Sequence, residues 1–174
     1  MTPLTGPRLT LRPVEPADLD SLYIWENDSS AWGVASTRAP LSRRQLHDYI
    51  ESYDADIYAA RQLRLVIEET ASGRAIGAID LYDFDPRDLR AFAAIYIAEA
   101  SRRQGYGSEA LGLMADYGRA VIGLHQIAAF VAVGNVASLA IFRHCGFSSA
   151  GRLRSWIKYD SRYHDVIIMQ RLFV

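Results

Sequence analysis

The segment that most restricts the fold is Arg102-Arg103-Gln104-Gly105-Tyr106-Gly107-Ser108. It lies between an apolar strand-like run, Ala91 to Ala98, and a helical stripe through Leu111, Met114, Gly118 and Val121. Two glycines let the chain turn tightly, so that successive amides converge on one point. The helix that follows adds unbonded amides and the positive end of its dipole. Arg102 and Arg103 add permanent charge. Such a strand-turn-helix can cradle a pyrophosphate, and it also fits an ordinary glycine turn that starts a helix. A P-loop is excluded, because G-x-x-x-x-G-K-[ST] is absent. Gly105 to Ala110 does fit the dinucleotide pattern G-x-G-x-x-A. That pattern needs an acid about 20 residues on, which is missing here, and its glycines belong in a first strand-helix turn.

The remaining elements follow from periodicity. Arg8 to Val14 alternates and predicts a strand. Pro16 opens a helix with Leu19, Leu22 and Tyr23 on one face. Ser42 and Gln45 form a capping box ahead of Leu46, Tyr49, Ile50 and Tyr53. Leu63 to Glu69 and Ala75 to Asp83 predict strands joined by a turn at 71–74, and 85–88 is a loop. Ile127 to Val133 is continuously apolar, as a strand covered on both faces is. A short helix runs from Ala137 to His144, and two strands, 151–159 and 163–173, close the chain. The expected fold is α/β (α+β): a mixed, twisted central sheet of about seven strands flanked by about four helices. It forms a single domain over 1–174.

Charge separates the halves. Residues 1–100 carry 16 acids and 10 bases, whereas 101–174 carry 4 acids and 9 bases. The basic half suits an anion, and equally a solvated face. The bases form no run and have no interleaved aromatic platform, so nucleic acid is not an expected partner. The single cysteine, Cys145, excludes an internal disulfide framework and fits a buried structural thiol. No signal segment is visible at the N-terminus, and the longest apolar run, 127–134, is too short to span a bilayer. A cytoplasmic protein without membrane attachment is expected. No metal site is expected either: 80–88 holds four acids but lacks the glycine turn and distal glutamate of a calcium loop.

Two motifs in order carry a resemblance to the GNAT superfamily of acetyl-CoA-dependent N-acetyltransferases. Arg102, Gly105 and Gly107 match its Q/R-x-x-G-x-G/A signature. Asn135-Val136-Ala137-Ser138, followed by Cys145-Gly146-Phe147, is similar to its N-x-x-[SA]…G-F segment. Within the superfamily the chain is most similar to spermidine/diamine acetyltransferases and to the acetyltransferases of ribosomal-protein N-termini. Both groups share Leu11-Arg12-Pro13 and Asp18-Leu19. Glu26-Asn27-Asp28 and Asp80-Leu81-Tyr82-Asp83 resemble the polyamine enzymes more.

The resemblance implies direct attack of a primary amine on acetyl-CoA. Ile95, Tyr96 and Ile97 would pair with the pantetheine arm. The loop Arg102, Arg103, Gln104, Gly105, Tyr106, Gly107 and Ser108 would hold the pyrophosphate. Asn135, Ser138 and Phe142 would line the cofactor arm. Many relatives carry an acid tyrosine seven residues after the Asn, where this chain has Phe142. Ser138 could instead serve the departing sulfur, or simply cap its helix. Asp80 and Asp83 are the candidate bases, acting through a water. On a regular strand only one of them faces the substrate, unless a bulge intervenes. Glu26, Asp28, Asp80 and Asp83 would draw a cationic amine, in keeping with a polyamine such as spermidine. Arg38, in Ala35-Ser36-Thr37-Arg38, and Phe92 depart from the polyamine pattern. The acceptor is thus a small amine or a peptide N-terminus, with a non-catalytic acetyl-CoA-binding module as the alternative. Dimers are common among such relatives, and a homo-oligomer is compatible with the sequence.

Overall fold

The alternation at 8–14 folds as an edge strand, β1 (Leu9–Pro13), whose Leu9 and Leu11 are buried while Thr10 and Arg12 are not. The structure is a computed structural model that describes residues 4–29 and 39–173. Six further strands follow: β2 (Leu63–Glu69), β3 (Arg74–Asp85), β4 (Arg90–Ile97), β5 (Gln126–Ala132), β6 (Ser148–Tyr159) and β7 (Arg162–Leu172). They form one sheet in the order β1-β2-β3-β4-β5-β7-β6. Every neighbouring pair is antiparallel except β4 and β5. The helices among the described residues are α1 (Leu19–Glu26), α2 (Arg43–Glu51), α3 (Ile57–Ala60), α4 (Tyr106–Tyr117) and α5 (Val136–His144).

Alternating side chains supply two cores. Leu65, Ile67, Ile79, Leu81, Ile127 and Ala129 face one way, against Leu111 and Met114 of α4 and Leu139 and Phe142 of α5. Val66 and Ala78 face the other way, against Leu22 and Trp25 of α1. Each fully buried Leu or Met on α4 stabilises by roughly 1.5–3 kcal/mol. The stripe expected on α4 holds through Gly118 and then fails. Residues 118–122 form a wider π turn, which rotates Val121 out to 55% exposure.

Caps set the helix starts. Ser42 Oγ accepts from the Gln45 amide (3.2 Å), and Gln45 Oε1 accepts from the Ser42 amide (2.9 Å). Pro16 opens a single 3-10 turn, Pro16–Asp18, which leads into α1. The short α3 gave no usable signal, because a four-residue helix has no periodicity to read. Arg12 and Asp18, both within the shared N-terminal pattern, are joined by two parallel hydrogen bonds of 2.8 Å. Burial alone would raise the Asp18 pKa. The bonds from Arg12 and from the Glu15 amide outweigh it and hold the carboxyl below its ordinary value.

The basic C-terminal half resolves into an edge. β6 is the outermost strand, exposed along most of its length, and it carries Arg152, Arg154 and Lys158. Charge there blocks pairing with another sheet. Arg152 is matched by Asp165 (2.6 Å).

Candidate active site

The site begins where the sheet stops being continuous. β4 and β5 pair through only three positions, Arg90–Gln126, Ala91–Ile127 and Phe92–Ala128. Both strands then run on, β4 to Ile97 and β5 to Ala132, without pairing to each other. A wedge opens between them. Ile95, Tyr96 and Ile97 lie on its β4 arm and are bonded to β3 only on their far side. Asn135 and Ser138 lie at the start of α5, directly after the β5 arm.

The loop at the wide end is built as a nest of amides. Gly105 has φ 82°, a left-handed conformation that glycine adopts without a Cβ penalty, and it caps α4. Arg103 also has positive φ (61°). The first helical bond runs from the Glu109 amide to the Gly105 carbonyl (3.2 Å), which leaves the amides of Tyr106, Gly107 and Ser108 ahead of it. Gly107 is not the turn residue expected. It sits inside α4 without a positive φ, so the turn does not require it, and a Cβ there would lie 2.8 Å from the movable tip of Ile141, its Cδ1. The loop is braced from β1. Arg8 donates to the Gln104 carbonyl (2.8 Å) and to Glu109 (2.8 Å), and its guanidinium lies 4.8 Å from the centre of the Tyr106 ring. The Tyr106 hydroxyl donates to Glu69, so this side chain supports the loop from below.

Several expected roles change. Arg102 turns back to donate to the Ile97 carbonyl (2.8 Å), with Asp28 at 3.4 Å, which leaves Arg103 as the outward charge of the pair. Asn135 is the helix cap: its Oδ1 accepts from the Ser138 amide (3.1 Å). Ser138 is therefore the capped residue, not the cap. Phe142 is corrected from a cofactor contact to a core residue. It is 2% exposed and packs edge-on against Phe147 at 5.0 Å, so it offers the wedge no free surface. Cys145 is half-buried, its Sγ donates to the Ser108 carbonyl (3.3 Å), and burial raises its pKa.

The acidic residues are not free either. Asp80 accepts from Arg64 through both oxygens (2.7 and 3.1 Å) and from Gln62 (3.2 Å). Arg64 also pairs with Glu26 (2.7 Å). Asp80 is thus a counter-charge in a Glu26–Arg64–Asp80 triad, which leaves it the water-mediated role expected of it and no direct one. Asp28 accepts from the Tyr96 hydroxyl (2.8 Å). Burial and then the Asp28 carboxylate push the Tyr96 pKa up to about 12. A bulge between Tyr82 and Asp85 does intervene after Asp80, and Asp83 sits on it, exposed and at φ 49°. Ala35, Ser36, Thr37 and Arg38 lie outside the described residues.

Arg64 itself was missed, although a lone charge inside Leu63-Arg64-Leu65-Val66-Ile67 was a usable signal. Tyr49 was read only as a packing residue. Its hydroxyl is buried with no hydrogen-bond partner among the described residues, and burial raises its pKa to about 12.

On the same face of β4, Phe92, Ala94 and Tyr96 succeed one another. Ala94 is exposed and pairs in register with Asp80. The Glu26–Arg64–Asp80 triad lies along its β3 side. Among the described residues, no His, Cys, Asp and Glu group forms a metal site, and no helix is long and apolar enough to cross a membrane.

Comparison with known proteins agrees with this geometry. The model of the acetyltransferase (GNAT) domain matches residues 8–148. An uncharacterized N-acetyltransferase of Bacillus subtilis, YoaA, is 24% identical over 165 residues, covering 92% of this chain and 93% of the relative. An L-methionine sulfoximine/L-methionine sulfone acetyltransferase of Pseudomonas aeruginosa is 26% identical over 118 residues, 66% of this chain and 68% of the relative. Among solved structures, spermidine N-acetyltransferase from Vibrio cholerae in complex with CoA and spermine superposes with a TM-score of 0.85 at 26% identity, covering 96% of each chain.

Proposed function

The chain belongs to the GNAT acetyltransferase family, and from that premise we propose that it transfers the acetyl group of acetyl-CoA directly to the primary amine of a small acceptor. One observation carries the reading: the parallel pair β4–β5 parts after Phe92–Ala128, and the amide nest of 105–108 stands beside the opening. The nest suits a diphosphate, and the β4 arm suits the amides of a pantetheine chain.

The chemistry follows from the parts. An outward amide of Ile95–Ile97 donates to the thioester oxygen, which gains charge as the amine attacks. Donors of this kind are worth about 3–4 kcal/mol in other enzymes. The acceptor enters over Ala94, where the triad has one more negative than positive charge and draws an ammonium. Both Asp80 oxygens are occupied by Arg64, so the amine sheds its proton to water rather than to Asp80 itself. Ser138, in the first turn of α5, donates to the departing thiolate. Acetyl-CoA is the cosubstrate, and no metal takes part in this scheme.

A polyamine acceptor is the second reading, favoured by the likeness to an enzyme seen with spermine. Against it, Glu26 and Asp80 are matched by Arg64 and Asp28 by Arg102, so the face attracts one positive charge better than several. A related enzyme forms a dodecamer, and we propose that this chain also self-associates. The test is thiol release from acetyl-CoA with a panel of simple amines, putrescine, spermidine, spermine and peptides, with products identified by mass spectrometry. Tight acetyl-CoA binding without release to any acceptor would make the chain a binding module and overturn the reading.

A further inference from the structure

Three aromatic rings stand in a row on the face of the sheet that the acceptor approaches. Tyr82 of β3 stacks on Phe92 of β4 (centroids 5.6 Å, planes 27° apart), and Phe92 stacks on Phe130 of β5 (4.9 Å, 14°). Ile127, Ala129 and Val131 fill the core on one side of β5, so Phe130 points to the opposite side. It is 43% exposed. The row crosses the closed end of the wedge, since Phe92 is the last paired residue of β4. Phe92 and Phe130 also line a shallow cavity of about 210 Å³, together with Ala128, Ile168 and the polar side chains of Arg90, Gln126 and Gln170.

The position gives the row a use. Tyr82–Phe92 and Asp80–Ala94 are consecutive same-face pairs of one ladder, about 7 Å apart along the strands. A short acceptor can therefore set its amine over Ala94 and rest the remainder on the row. The ring orientation selects what rests there. Both faces of Phe92 are covered by its neighbours, so the row presents mainly ring edges. Edges carry the positive side of the aromatic quadrupole, which disfavours a second ammonium and favours another ring or an apolar chain.

We infer that the acceptor bears an aromatic-sized apolar body next to its primary amine, and that Tyr82, Phe92 and Phe130 determine that specificity. The inference rests on the acetyl-transfer reading above. The test measures kcat/KM at saturating acetyl-CoA for 2-phenylethylamine, ethylamine and spermidine. The expected result is a phenylethylamine-to-ethylamine ratio of at least about tenfold, with spermidine below phenylethylamine. Phe130→Ala, at a half-exposed position, lowers that ratio about tenfold, and Phe92→Leu lowers it as a second variant. A ratio near one, a tenfold preference for spermidine, or a ratio that neither variant moves overturns the inference while transfer itself stands. Release to no amine overturns the transfer reading and this inference together. Variants that alter only sedimentation make the row a contact between copies and also overturn it.

Discussion

The glycine loop at 102–108 and the Glu26–Arg64–Asp80 triad are built on opposite principles. The loop works through its backbone: a left-handed Gly105, three amides ahead of the first helical bond, and a brace from Arg8. The triad works through side chains that meet only in the folded chain. Arg64 reaches Asp80 across 16 residues and Glu26 across 38. A backbone device tolerates most side-chain changes and fails when φ is restricted. A charge triad tolerates most backbone neighbours and fails when one partner is removed.

The difference can be broken hardest at Arg64. Arg64→Leu leaves Glu26 and Asp80 facing each other in a largely water-excluded place and is expected to cost about 3 kcal/mol of stability, read by denaturant unfolding. Adding Asp80→Asn should recover part of that loss. If the double variant is no better than the single, charge is not what the triad balances. On the loop, Gly105→Ala forces an alanine into φ 82° and should cost about 1–2 kcal/mol. It should also weaken acetyl-CoA binding measured by calorimetry, whereas an unchanged affinity would dissociate the turn from the nest.

The two arginines sharpen the contrast within the loop. Arg103→Glu is expected to weaken acetyl-CoA at least about tenfold at low salt, an effect that fades as salt rises. Arg102→Glu should disturb Asp28 and the β4 end more than the cosubstrate. Equal effects on affinity would return Arg102 to the anion site. The smallest effect lies outside both regions. The folded Asp18 carboxyl titrates below its ordinary value, so its stabilisation is full above that value and is lost as pH falls through the lower, folded one. Melting temperature should therefore drop below about pH 4 in the parent chain. Asp18→Asn should melt lower at neutral pH and show a flatter acid limb.

How much could be read beforehand follows the same division. The seven strands and the glycine loop were visible because period-two alternation and glycine spacing are local. The bounds moved by a few residues at most, as at β6, which begins at Ser148 rather than 151. Val121 misled because a π turn changes the period without a marker in sequence. Gly107 misled because it lies inside α4 without a positive φ, where no turn requires a glycine. The acids at 26, 28 and 80 were found as residues, but their basic partners were not. Nothing along the chain states that Arg64 and Arg102 answer them.

The parted strands have one more consequence. Among the described residues, the ladder between the β1–β4 half of the sheet and the β5–β7 half has three rungs, at Arg90, Ala91 and Phe92, with the bond from the His125 amide to the Leu89 carbonyl at its closed end. Anything that bonds along the β4 edge becomes an extra rung and stitches the halves together. The protein should thus stiffen on loading and slacken on release once per turnover, with deuterium uptake at the β5-facing amides of 93–97 as its gauge.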